Sequence, residues 1–205
     1  MSHQSFSSKA IKIFKQSIDK YHLIDKVDQS FENPFQSNSI DHLLYRKNWI
    51  DTVQWHYEDL IRDPKISPNN ALSLKRKIDS SNQDRTDTVE YIDSFYYSKF
   101  KNVEVNENAS INTESPAWAI DRLSILALKI FHMKEESERS SGSKEHRGLC
   151  KKKFLVLMEQ KKVLSEAIDQ LLQDMKNGLK YMKVYKQMKM YNDESLNPVL
   201  YQNKT

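Results

Sequence analysis

The chain has one cysteine, Cys150, which excludes an internal disulfide and a zinc cluster built from thiolates alone. Only three glycines and five prolines occur in 205 residues, a scarcity that favours long continuous elements over frequent turns. No apolar run approaches the ~18 residues of a membrane span. The opening Met1-Ser2-His3-Gln4-Ser5-Phe6 lacks the apolar core of a signal peptide. These absences set the expectation of a cytoplasmic protein with no transmembrane segment. Neither charge dominates: 32 Lys and Arg stand against 28 Asp and Glu, a net of +4, so nucleic acid is not an expected partner.

What the chain does have is one strongly apolar stretch, Glu114 to Met133. Ser115 can cap a helix there, and Pro116 suits its first turn. Ile120, Leu123, Ile125, Leu126, Leu128, Ile130 and Phe131 then cover nearly the whole circumference. A helix apolar all round belongs at the centre of a bundle. Asp121, Arg122, Ser124 and Lys129 lie inside it, and buried charges need partners.

Other helices flank this one. The periodicity predicts a first helix from about Ser7 to Asp28 and a second from Asn38 or Ser39 to Arg62, stopped by Asp63-Pro64. A third follows Ser67-Pro68 and runs to about Phe100, with Ala71, Lys75, Ile78, Asn82, Arg85, Val89, Ile92 and Tyr96 in its inward row. A polar loop spans Lys101 to Asn112, with weak strand alternation from Asn102 to Val105. After a flexible link at Ser140-Ser141-Gly142-Ser143, a last helix extends from Lys144 to Tyr191, with a break or kink near Asn177-Gly178. Residues 192–205 read as an extended tail, docked through Val199, Leu200 and Tyr201. The expected fold is all-α, a single-domain bundle of about five helices spanning 1–205 with a long C-terminal helix.

Three helices carry polar residues at core-facing positions. Asp59 and Arg62 come from the second, Asn82, Arg85 and Glu90 from the third, Asp121 and Arg122 from the fourth. If these meet, the arginines offer planar forks to a carboxylate or phosphate, and the acids and amide orient them. The competing expectation is an internal salt-bridge network that fixes helix register. Glu58, Asp59, Glu90 and Asp93 form a second candidate set, able to hold Mg²⁺ through oxygen. That set resembles the E-E-x-x-E and later E-x-x-D of all-α nucleotide pyrophosphohydrolases of the MazG and dUTPase kind. Arg62 stands where those families place a carboxylate. Arg76-Lys77-Ile78-Asp79 with Arg85 is similar, more weakly, to the all-helical chorismate mutase. Neither His56 nor His132 belongs to a His-x-x-x-His pair, so the spacing offers zinc little. Cys150 has no catalytic partner evident in the sequence. Between 144 and 191, twelve basic residues face five acidic ones, including Lys180, Lys183, Lys186 and Lys189. Such a run is ordinarily a solvated face, and otherwise fits an anionic partner.

Several strings together resemble one uncharacterised bacterial domain family common in the Bacteroides group. They are Trp55-His56-x-Glu58-Asp59-x-x-Arg62, Asn82-Gln83-x-Arg85, Glu90-x-Ile92-Asp93 and Asp121-Arg122-Leu123-Ser124-Ile125-Leu126-x-Leu128-Lys129-Ile130. The resemblance covers roughly Asn33 to Tyr201. It implies a helical, intracellular protein, often encoded beside glycosyltransferases of lipopolysaccharide or capsule synthesis, and it carries no catalytic assignment. Three functions follow as expectations: binding of a phosphorylated or nucleotide-linked sugar, non-catalytic partnership with a glycosyltransferase, and magnesium-dependent phosphohydrolysis. The long last helix could also support a homodimer.

Overall fold

The computed structural model describes residues 4–186, 190 and 193–202. Its elements, in order, are α1 (Phe6–Tyr21), α2 (Ile40–Ile61), α3 (Pro68–Phe100), β1 (Ser110–Ile111), α4 (Pro116–Glu138), α5 (Lys144–Lys176), β2 (Lys180–Tyr181) and α6 (Pro198–Gln202). The architecture is an all-α bundle with one minimal parallel sheet, β1 beside β2.

Local chemistry sets most boundaries. Ser5, Ser39, Ser67, Ser115 and Ser143 each accept a hydrogen bond from the backbone N–H three residues on, satisfying one of the donors left open at a helix start. Pro68 and Pro116 follow two of these caps in the first turn. Short links make α2–α3 and α4–α5 antiparallel hairpins.

Helix α4 is central, packing against α1, α2, α3 and α5. Ala119, Ile120 and Leu123 of α4 join Ala10, Phe14 and Tyr21 of α1, Leu44, Tyr45 and Trp49 of α2, Val89, Ile92 and Tyr96 of α3 and Ile168 of α5 in one apolar cluster. Helix α5 also reaches α1 through Asp169, which accepts from the Ser7 backbone N–H at 2.9 Å and from its hydroxyl at 2.5 Å. A carboxylate at a helix N-terminus suits both the open donors and the dipole.

Two helices end earlier than the periodicity predicts. α1 stops at Tyr21, not near Asp28, because the chain turns out through Asp25, whose φ is +58°. Ile24, which carries the helical spacing past Tyr21, is exposed in that turn. α5 stops at Lys176, not at Tyr191. Gly178 adopts φ +69°, Leu179 donates to the Asp174 carbonyl at 2.9 Å, and Gly178 donates to the Met175 carbonyl at 3.2 Å. This pair of bonds is a Schellman ending, so the break expected near Asn177-Gly178 is a full stop. The chain then pairs back onto the 106–112 loop, forming β1–β2 beyond the Asn102–Val105 segment where alternation appeared. Lys189 and Tyr191 lie outside the described residues. In the stretch read as an extended tail, Pro198–Gln202 forms a short helix, with Val199, Leu200 and Tyr201 exposed. Among the described residues, no helix is long and apolar enough to cross a membrane.

Candidate functional site

The polar positions of α2, α3 and α4 meet at a buried cluster of four charges. Lys47 and Asp51 stand one turn apart on α2, so they share a face. Lys47 Nζ lies 2.5 Å from Asp51 Oδ2 and 2.8 Å from Asp121 Oδ1, with its side chain fully buried. Arg85 of α3 donates to both oxygens of Asp121, from Nε at 2.9 Å and from Nη2 at 2.5 Å. Its Nε also lies 3.6 Å from Asp51 Oδ1. Ser124 donates to Asp51 at 2.6 Å, and Asn48 donates to the Ser124 hydroxyl at 3.1 Å. Two cations and two carboxylates therefore neutralise one another inside the bundle, which is the condition for burying them.

The two carboxylates respond oppositely. Burial pushes the Asp51 carboxyl up, and the neighbouring Asp121 adds to this against the pull of Lys47. Burial also opposes the Asp121 charge, but Lys47 and the Arg85 hydrogen bonds outweigh it and hold that carboxyl below its ordinary range. Asp121 is thus the firm anion of the cluster. Burial works against the Arg85 guanidinium too, yet Asp121 holds its proton more tightly than usual.

The cluster is not sealed. Arg85 keeps 29 % of its side-chain surface exposed, and with Asp51 it forms one wall of a cleft of about 370 Å³ between α2, α3 and α4. Gln54, Trp55, Glu58, Asp59 and Arg62 of α2 and Ile125 and Leu128 of α4 complete it. Gln54 is fixed from behind, donating to Asn82 at 2.8 Å and accepting from Ser81 at 3.2 Å. Arg62 pairs with Glu58 at 3.1 Å on the solvent side.

The candidate residues of the sequence are therefore only partly gathered. Asp59, Arg62 and Arg85 line the cleft, Asp121 sits behind Arg85, and Asn82 supports Gln54. Arg122 projects from the other side of α4, where it pairs with Glu114 at 3.0 Å and borders a larger groove of about 840 Å³ toward α5. That groove also takes in Lys129, Glu159 and Lys180, but none of its charged residues is buried.

The magnesium set is spread along the bundle. Gln54 meets Ser81 and Asn82, which fixes the antiparallel register of α2 and α3. Asp59 lies five residues from that level in one direction and Glu90 eight in the other, about 20 Å apart at 1.5 Å per residue. Glu58 is engaged by Arg62. Asp93 faces the start of α4, where the Ser115 hydroxyl and Ala117 N–H donate to it, and burial pushes its carboxyl up. The spacing of Glu90 and Asp93 could not reveal this, because it says nothing of the level at which the hairpin partner stands.

Lys47 was hidden in the sequence for a related reason. A lysine in mid-helix is ordinarily solvated, and only its alignment with Asp51 and then Asp121 shows otherwise. Histidine chemistry was hidden too. The spacing gave zinc no pair, yet His22 at the end of α1, His56 on α2 and His132 on α4 bring one ring nitrogen each to within 4.8 Å of one another. Burial holds His56 and His132 below the usual imidazole range, and the His22 ring adds to this, against opposing carboxylates at Asp25 and Glu135. Cys150, without an evident partner in the sequence, has His146 one turn earlier, with Sγ 3.4 Å from Nε2.

Residues 41–184 fit a family described as a protein of unknown function, DUF4254. No curated protein and no solved structure matches the chain.

Proposed function

The chain belongs to the DUF4254 family, and from its cleft we propose that it binds a phosphorylated or nucleotide-linked sugar. One observation carries this reading: a guanidinium clamped from behind by a buried carboxylate still presents an edge to a solvent-reachable cleft. Asp121 takes Nε and Nη2 of Arg85, which leaves the remaining nitrogen for an incoming anion. Trp55 supplies an apolar face suited to a sugar ring, while Asp59 and the fixed amide of Gln54 supply partners for hydroxyls. The volume falls within the range of small-molecule sites, about 300–1,000 Å³. The link to cell-surface polysaccharide synthesis rests on the family resemblance, and it decides which ligands to try first.

Thermal-shift measurements on the full chain with sugar phosphates and nucleotide sugars test the reading. It expects at least one to raise the melting temperature, and Asp59→Asn and Trp55→Ala to diminish that shift. A panel in which no anion stabilises the protein defeats it.

A second reading, docking of a protein partner such as a glycosyltransferase, is favoured by Leu149, Val156 and Val163. These are exposed on α5 at seven-residue spacing. Co-purification that survives loss of ligand binding but fails on charge reversal at Lys180, Lys183 and Lys186 would support it. The phosphohydrolase reading draws no comparable support, given where its four carboxylates stand.

A further inference from the structure

We propose that His22, His56 and His132 form a binding site for a divalent transition-metal ion, zinc by donor chemistry, which adjoins the cleft at Trp55. Three helices deliver the ligands. His22 sits at the C-terminal end of α1, held there because its Nδ1 donates to the Ile18 carbonyl at 2.7 Å. His132 of α4 is oriented by Glu135, whose carboxylate lies 3.1 Å from its Nδ1. A carbonyl and a carboxylate only accept, so both Nδ1 atoms carry the proton. In the neutral rings that leaves both Nε2 atoms as lone-pair acceptors.

The consequence is a conflict that a cation resolves. The Nε2 atoms of His22, His56 and His132 are all buried, and none has a hydrogen-bond partner among the described residues. Two acceptors cannot satisfy each other, and His56 can donate to at most one of them. Such groups are costly to bury unpaired. Around them the rings are held by aromatic walls: Tyr21 stacks on His56, Trp55 stacks on His132, and Phe131 packs against His22 at 4.4 Å. Carbonyl and carboxylate partners on the far ring nitrogen, within an aromatic surround, are the outer-shell pattern of metal-binding histidines.

The dimensions suit zinc. Bonds of about 2.0–2.1 Å in a tetrahedron set the nitrogens roughly 3.3 Å apart, so the observed spread of up to 4.8 Å closes by modest side-chain rotation. Asp25, whose Oδ1 lies 3.7 Å from His56 Nε2, is placed to bond a water in the fourth position. Three imidazoles with an open fourth position also match what catalytic zinc uses. The other candidate cluster, Glu136, His146 and Cys150, lacks this conflict. There His146 Nε2 already bonds Glu136 at 2.9 Å and contacts Cys150.

The test uses the full chain without a histidine tag, stripped of metal and titrated with Zn²⁺ against a chromophoric chelator, then with Co²⁺. The expected result is one equivalent bound at submicromolar affinity, with tetrahedral cobalt bands and no thiolate charge-transfer band. His56→Gln and His132→Gln should each weaken binding by about a hundredfold or more, and Glu135→Ala by about ten- to hundredfold. His146→Ala should leave it unchanged. Absence of a tight equivalent, a thiolate band from Cys150, or undiminished affinity in His56→Gln and His132→Gln overturns the proposal. If the histidine variants lose the fold, the wild-type stoichiometry and cobalt spectrum still decide.

Discussion

Lys47 donates to Asp121 at 2.8 Å across the interface of α2 and α4, and neither side chain has more than 4 % of its surface exposed. The pair ties the central helix to its neighbour at one register. Asp121 also anchors Arg85, so it serves two cations with one carboxylate. Removing it strands both. Asp121→Ala should destabilise the protein by roughly 3–5 kcal/mol, whereas Lys47→Met combined with Asp51→Leu should recover most of the loss seen in Lys47→Met alone. Urea unfolding of the set, read as a double-mutant cycle, checks this.

The opposed shifts of the two acids give a pH signature. Asp121 is held low, so its contribution to stability is complete above the ordinary carboxylate range near ~4 and is lost as pH falls through its lowered value. Asp51 is held high, so its contribution is complete below that range and is lost as pH rises through its raised value. Relative to Asp121→Asn, the wild type should therefore gain stability with rising pH in the acid range. Relative to Asp51→Asn it should lose it. Unfolding free energies measured at several pH values for the three proteins should show slopes of opposite sign.

Gly178 illustrates how an ending is enforced twice. Its φ of +69° disfavours other residues, and a Cβ there would lie 2.2 Å from the Glu104 carbonyl oxygen. Gly178→Ala should cost more than about 2 kcal/mol. Asn tolerates a left-handed backbone, but it carries the same Cβ, so Gly178→Asn should be no better. Rescue by Asn would show that only the dihedral matters.

Much of this fold was readable because helix starts are local events. Ser39, Ser67-Pro68 and Ser115-Pro116 place three starts from a few residues of sequence. The ending at Gly178 was readable only in part. Whether a glycine kinks a helix or stops it depends on Glu104 and the 106–112 loop, some seventy residues away. The site was readable as residue types but not as a grouping. Asp121 and Arg122 are adjacent in sequence, yet about 100° of helical rotation sends one inward to Lys47 and the other outward to Glu114. The histidines share this difficulty, since their meeting depends on three helices at one level.

That rotation has a functional consequence. Arg122 borders the α4–α5 groove and does not line the cleft. Arg122→Ala should leave cleft binding unchanged and shift stability by no more than about 1 kcal/mol, as its pair with Glu114 is mostly exposed. Thermal shift with and without ligand measures both effects.

In the proposed binding mode Arg85 receives an anion while Asp121 holds it. Calorimetric titration of the wild type and Arg85→Lys, using whichever sugar phosphate or nucleotide sugar stabilises the protein most, addresses it directly. A lysine keeps the charge for Asp121 but loses the planar fork. One site is expected in the wild type and at least about a tenfold weaker one in Arg85→Lys, equivalent to about 1.4 kcal/mol. Equal affinities in the two proteins, or no binding to the wild type by any compound of the panel, would contradict it.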